Sequence, residues 1–254
     1  MLPSAGAVNT GLTIAALALR VGDAIASAKV TSTRVRKGAC GIVSLTLQIW
    51  CVKTLLGLSV LLVFIGFAKT VLVRIGRFMA PTSTTTADVV ILEGGEAIDR
   101  RLLFQATKQI CSGRANRLVL VMHQIQGKPE VEAKIDREAQ IMADHFGLCS
   151  QLQIIRTPNT HPITLKEASV VLNELSLQGV HSAIIMTDGF HERRSYLVYK
   201  QIGTPLGLRI LPSNAFLAYA AENWWSSSTG IYVLFQELTK TAYYYLKGYL
   251  RVAS

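Results

Sequence analysis

An apolar run from Leu45 to Val73, LTLQIWCVKTLLGLSVLLVFIGFAKTVLV, constrains this chain more than any other feature. It holds no charged side chain between Thr54 and Ala68, and its core extends over residues 49–73 if Lys53 and Lys69 reach outward from the ends. Crossing the hydrocarbon layer takes roughly 20 predominantly apolar residues, so a membrane anchor is expected here. The alternative, a buried helix of a soluble protein, would run to about 11 residues.

Charge is distributed to match. The chain carries a formal +10, of which residues 1–80 hold +8 and residues 81–254 only +2. A nucleic-acid binder concentrates bases on its folded domain, and no such cluster follows residue 80, so no nucleic-acid partner is expected. Arg34, Arg36 and Lys37 suit anionic headgroups instead, which makes membrane lipid the expected partner. Positive-inside reasoning places the N-terminus in the cytoplasm and the large C-terminal domain outside it, by a margin of a few charges. A single-pass protein of the plasma membrane or a cell inner membrane follows from that reading.

The organisation read from the sequence is a basic leader at 1–44, interfacial or disordered, an anchor at 45–73, a linker at 74–86 and a folded domain at 87–254. In the leader, the stretch from Gly11 to Ala28 is weakly apolar but broken by Arg20 and Asp23. Cys40, Cys51, Cys111 and Cys149 show no CxxC spacing, so cysteine-based metal binding is not expected. Cys111 and Cys149 can pair only if the fold brings their helices together.

From Asp88 onward, short apolar runs alternate with longer helical segments. DVVIL at 88–92 reads as a strand, followed by a turn at Gly94-Gly95 and a helix over 98–111. Further strands are expected at 117–122, 151–155, 181–187 and 209–211, with helices at 130–145, 164–177 and 190–201. Glycines at 113, 147 and 179 follow three of the helices. This βα alternation predicts an α/β fold, a Rossmann-like three-layer sandwich with a mostly parallel sheet, preceded by an N-terminal transmembrane helix. An aromatic C-terminal helix ends near Gly248. Its Trp and Tyr residues can pack on the domain, meet headgroups or contact an envelope protein.

In such a sheet the crevice lies beyond the carboxyl ends of the strands. Glu93-Gly94-Gly95-Glu96 allows close backbone approach, making Gly94 and Gly95 candidate ligand contacts. There is neither a GxGxxG fingerprint nor a Walker A motif, and the sequence identifies no cofactor. The densest polar cluster is Thr187-Asp-Gly-Phe-His-Glu-Arg-Arg-Ser195. Helical spacing brings His191 toward Arg194 and Ser195. Asp188 can orient His191 or cap the helix, His191 can move a proton, and Arg194 can hold phosphate or carboxylate charge. Glu138 is a second candidate acid. Asn159, Thr160, Thr164 and Glu167 supply polar groups at a loop–helix junction, although Thr164 and Glu167 also fit a capping box. His123, His145 and His161 have no convincing metal spacing, and no metal site is assigned.

These segments resemble, in order, the motifs of the DUF218 family, the ElyC-, SanA- and YdcF-like envelope-associated proteins. ADVVILEGG at 87–95 matches its early strand and glycine turn, with Arg100 or Arg101 as the following arginine. DREAQIM at 136–142 places Glu138 at the helix glutamate. TPNTHPITLKEA at 157–168 matches the threonine turn, and TDGFHERRS at 187–195 matches the late His and Arg. Glu93 interrupts the glycine turn, and Asp136-Arg137 replaces small residues. The resemblance covers residues 87–211. It implies a membrane-anchored protein of cell-envelope or polysaccharide-precursor metabolism, acting on a phosphorylated or lipid-linked intermediate. His191, Asp188 and Glu138 would be catalytic, with Gly94, Gly95, Arg101, Asn159, Thr160, Thr164, Glu167 and Arg194 binding the ligand. The same groups equally suit a non-catalytic module for a nucleotide-like metabolite, or a membrane adaptor.

Overall fold

The computed structural model describes residues 41–148 and 151–251, with side chains from residue 50 onward. The leader up to residue 40, with Cys40, and Cys149 lie outside these residues. Helix α1, Gly41–Met79, contains the apolar run, and its portion Trp50–Met79 is long and apolar enough to cross a membrane, its most apolar 18-residue window having a mean hydropathy of 2.3. At 39 residues it is roughly 59 Å long, well beyond a hydrocarbon layer of about 30 Å. It therefore runs six residues past Val73, through Arg74–Met79, into the stretch read as linker. The chain divides within this helix, residues 1–62 forming one unit and 63–254 the other.

The second unit contains strands β1 (Val89–Gly95), β2 (Arg117–His123), β3 (Leu152–Thr157), β4 (Ser182–Asp188) and β5 (Arg209–Ala215). They form one sheet in the order β3-β2-β1-β4-β5, every pair parallel. Helices α2 (Arg100–Cys111), α3 (Pro129–His145), α4 (Ile163–Leu177) and α5 (His191–Gly203) connect the strands in turn, and α6 (Ser228–Leu246) follows β5. This is the expected α/β sandwich with both faces covered.

Alternation along each strand splits the core into two layers. Val90, Leu92, Leu120 and Ile184 pack against Leu103, Ala106 and Ile110 of α2 and Ala139 and Ala143 of α3. Val89, Ile91, Val121 and Ile185 face Val171 and Leu172 of α4 and Val198 of α5. In α2 the buried residues Leu103, Ala106, Thr107 and Ile110 recur with the helical period, and Asp99 caps its start by accepting from Arg101 N (2.7 Å) and Leu102 N (3.4 Å). Fully burying a Leu, Ile or Val contributes about 1.5–3 kcal/mol, so these strands lock the register.

β5 is an edge strand and carries Pro212, which has no N–H for a ladder. The extended segment after α1 covers that edge, Ser83 N donating to Pro212 O (2.9 Å) and Asn214 Nδ2 to Ala80 O (2.8 Å).

Candidate functional site

β1 lies where the sheet order reverses, between β2 and β4, and a cavity of about 520 Å³ opens beyond its carboxyl end. Its wall takes Glu93, Gly94 and Gly95 from β1, His123 from β2, His161, Ile163, Thr164 and Glu167 around the start of α4, and His191 and Arg194 from α5. Helix α6 completes it with Glu237, Lys240, Tyr243 and Tyr244.

The glycine pair forms a bulge rather than the expected free turn. Glu93 pairs with Val121 and Gly95 with Met122, leaving Gly94 as the extra residue. The spot is tight, since a Cβ on Gly94 would lie 2.7 Å from Met122 Sδ and 3.1 Å from Val121 O, so a larger residue would have to displace the Met122 side chain. Gly95 takes φ 67°, open to glycine without strain. The bulge accompanies a buried Glu93 whose Oε2 accepts from Ser195 Oγ (2.7 Å) and lies 3.0 Å from His191 Nε2.

On α5 the helical spacing acts as expected. Arg194 Nη2 lies 2.8 Å from His191 Nδ1, and Ser195 Oγ 3.2 Å from His191 Nε2. Arg194 is buried and all three of its nitrogens have protein partners: Nε donates to Glu237 Oε2 (2.9 Å), Nη1 to Thr164 Oγ1 (2.6 Å), and Nη2 to Glu237 Oε1 (3.5 Å), beside His191. It ties α4, α5 and α6 together and positions the imidazole. Its guanidinium also lies 5.2 Å from the centre of the Tyr244 ring. Lys240 Nζ, partly exposed, donates to the other Glu237 oxygen (2.9 Å).

Burial alone would lower the His191 pKa, but its bonding to Glu237 (3.4 Å) and Glu93 outweighs this and holds it at about 9. Glu237 resists ionisation through burial, yet the charges of His191 and Arg194 press its pKa well below the carboxylate range. Glu93 is likewise lowered, burial being overcome by His191 and Ser195. Glu167 moves the other way, to about 7, through burial first and then the negative charge of Glu93. His123 Nε2, 3.6 Å from Glu167 Oε2, is raised by that carboxylate. Glu93 Oε1, Glu167 Oε1 and His123 Nε2 are buried with no hydrogen-bond partner, and all three residues line the cavity.

Several expected residues sit elsewhere. Asp188 makes no hydrogen bond to His191 and does not cap α5, whose capping position is Phe190 without a side-chain bond. Orienting His191 falls to Glu93 and Glu237, which reach it from a neighbouring strand and from α6. Burial raises the Asp188 pKa, and its Oδ1 has no partner. Glu138 is exposed on α3 and does not line the cavity. Arg101 pairs with Asp99 (3.2 Å) and borders a separate hollow with Phe104, Phe146 and Phe216. Asn159 Nδ2 donates to Glu96 Oε1 (2.6 Å) and Thr160 Oγ1 accepts from Lys166 Nζ (2.8 Å), both outside the lining. Thr164 and Glu167 form no capping box, because α4 begins at Ile163 and both side chains are buried toward the cavity.

Glu93, read as a break in the glycine turn, lines the cavity, as do Glu237 and Lys240, which the sequence reading did not single out as site residues. Their signal was the cost of charge in apolar surroundings, which requires a partner. Among the described residues, no group of three or more His, Cys, Asp or Glu is placed to hold a metal ion. No family model matches the chain, and a search of curated proteins returns no relative.

Proposed function

We propose that this is a membrane-anchored protein of cell-envelope or polysaccharide-precursor metabolism that acts in this cavity on a phosphorylated or lipid-linked intermediate, its domain outside the cytoplasm. The observation that carries the reading is His191 held between Glu93 and Glu237 at the sheet's switch point, facing a cavity where Glu167 titrates near neutrality. Lys240 and protonated His191 supply positive charge toward phosphate oxygens. The carboxylates of Glu93 and Glu167, which line the cavity, accept from sugar hydroxyls or water.

In phosphoester hydrolysis, ionised Glu167 takes a proton from the attacking water as the oxygen–phosphorus bond forms. The ester oxygen leaves with its bonding electrons and receives the His191 proton. The test is release of inorganic phosphate or phosphosugar from polyprenyl-phosphate and sugar-phosphate probes by the full chain in detergent micelles. His191→Ala lowers turnover by about a hundredfold or more while the fold persists. Absence of turnover with every such probe contradicts a hydrolase.

A second reading, retention without turnover, is favoured by the pairing of both His191 nitrogens within the protein. It predicts binding of the same probes that weakens in Lys240→Ala.

A further inference from the structure

The segment leaving the membrane helix fixes which edge of the sheet the span approaches. Ala80 and Pro81 carbonyls accept from Asn214 Nδ2 (2.8 and 3.1 Å), late in β5, and Thr86 O accepts from Arg209 Nη2 (3.4 Å), at its start. Residues 80–86 thus run along β5 from its carboxyl end to its amino end. The span therefore ends at the carboxyl edge, which holds the cavity.

Helix α6 starts at the same place. Trp224 Nε1 donates to Leu72 O of α1 (3.0 Å), and a Cβ on Gly76 would lie 2.0 Å from Ala221 O. Two residues after the turn Trp224–Ser226, α6 begins, and it is apolar on two sides. Leu234 and Tyr244 face the domain, whereas Ile231, Phe235, Leu238 and Tyr245, spaced by four, three and seven, form an exposed stripe on the flank that adjoins the buried face. Tyr232 and Leu246 flank that stripe at 65% and 87% exposure. The helix has two charged residues, Glu237 and Lys240, and both line the cavity instead. A water-facing helix surface carries charge, and a helix–helix seam in water is flanked by it. The boundary of acyl chains and headgroups needs neither, and it enriches Tyr and Trp.

We infer that the outward face of α6 lies in the bilayer interface, with Ile231, Phe235, Leu238 and Leu246 among the upper acyl chains, so that the cavity mouth beside Lys240 and Tyr243 stands at headgroup level. Interfacial helices sink roughly 5–10 Å into this boundary, which suits side chains of this size. The occupant of the face is lipid, and the inference stands whether or not the cavity turns over a substrate.

The test uses the full chain with Cys40, Cys51, Cys111 and Cys149 replaced by Ser, in nanodiscs of phosphatidylcholine and phosphatidylglycerol. Single cysteines, Phe235→Cys, Leu238→Cys and Leu246→Cys, carry an environment-sensitive fluorophore. The control is Leu177→Cys, at the end of α4 and 91% exposed. The expected result is blue-shifted emission at the α6 positions and quenching by nitroxide lipids about threefold or more above that at Leu177. Water-like emission quenched only by soluble nitroxide overturns the inference. So does protection from both quenchers, the signature of a second copy or another protein on this face. Agreement among three positions, with unchanged circular dichroism, guards against a label that disturbs the helix.

Discussion

Arg194 Nε donates to Glu237 Oε2 across 2.9 Å, joining the first turn of α5 to the middle of α6. Both side chains are buried, so the pair is a positional constraint: it sets where α6 closes the cavity and fixes the carboxylate that faces His191.

Removing one member leaves the other charged and buried. Arg194→Met or Glu237→Leu alone should cost about 3–5 kcal/mol, and the double replacement clearly less than the two together. Chemical unfolding of the four proteins in micelles measures this cycle. Additive losses would contradict the coupling.

The pH dependence of stability follows from three shifts. His191, at about 9 against an ordinary 6.5, stabilises fully below pH 6.5 and loses that contribution as pH rises through about 9. Glu167, raised from 4.5 to about 7, acts in the same direction, its contribution complete below 4.5 and lost as pH rises through about 7. Glu237 is lowered, so its contribution is present above 4.5 and lost as pH falls through its folded value. The unfolding midpoint should therefore be highest at weakly acid pH and decline toward pH 9. His191→Gln should flatten the alkaline limb, and a midpoint rising from pH 6.5 to 9 would contradict these assignments.

Glu192 is fully buried and accepts from Thr187 N (3.1 Å), Thr187 Oγ1 (3.1 Å) and Ser213 N (3.2 Å), bridging β4 and β5 beside the site. Burial, with the nearby charge of Glu93, raises its pKa well above the usual range. Glu192→Ala should cost at least about 2 kcal/mol, because buried donors lose their acceptor. Thermal unfolding measures it, and a neutral result would contradict the bridging role.

Two glycines test close packing. Gly94→Ala drives a methyl toward Met122 and should cost about 1–3 kcal/mol. Gly189→Ala is worse placed, with φ 56° and Tyr219 Oη 2.2 Å from the new Cβ. It should lose more stability than Gly94→Ala in the same unfolding assay, since the methyl displaces the phenol that accepts from Phe190 N (3.1 Å).

The fold was legible because its signals are local. Continuous apolar runs such as Leu118–Met122 and Ala183–Met186 mark strands buried on both faces, and Gly113, Gly147 and Gly179, all at positive φ, mark the ends of the helices before them. Helix phase also brought His191, Arg194 and Ser195 together from spacing alone. The rest of the site depends on which surfaces face one another. Glu138 and Arg101 have suitable chemistry but stand on exposed parts of α3 and α2, whereas Glu93 and Glu237 come from segments 144 residues apart and meet only around His191. No periodicity within either segment encodes that meeting.

The central claim, that the cavity around His191 holds a phosphate-bearing envelope compound, is tested most directly by mass spectrometry of small molecules and lipids retained by the full chain extracted from membranes in polymer-bounded discs. The account predicts a phosphorylated amphiphile or its headgroup bound to the wild-type protein and depleted from Lys240→Ala and His191→Gln proteins of unchanged circular dichroism. Absence of any phosphate-bearing compound, or equal retention by all three proteins, would contradict it.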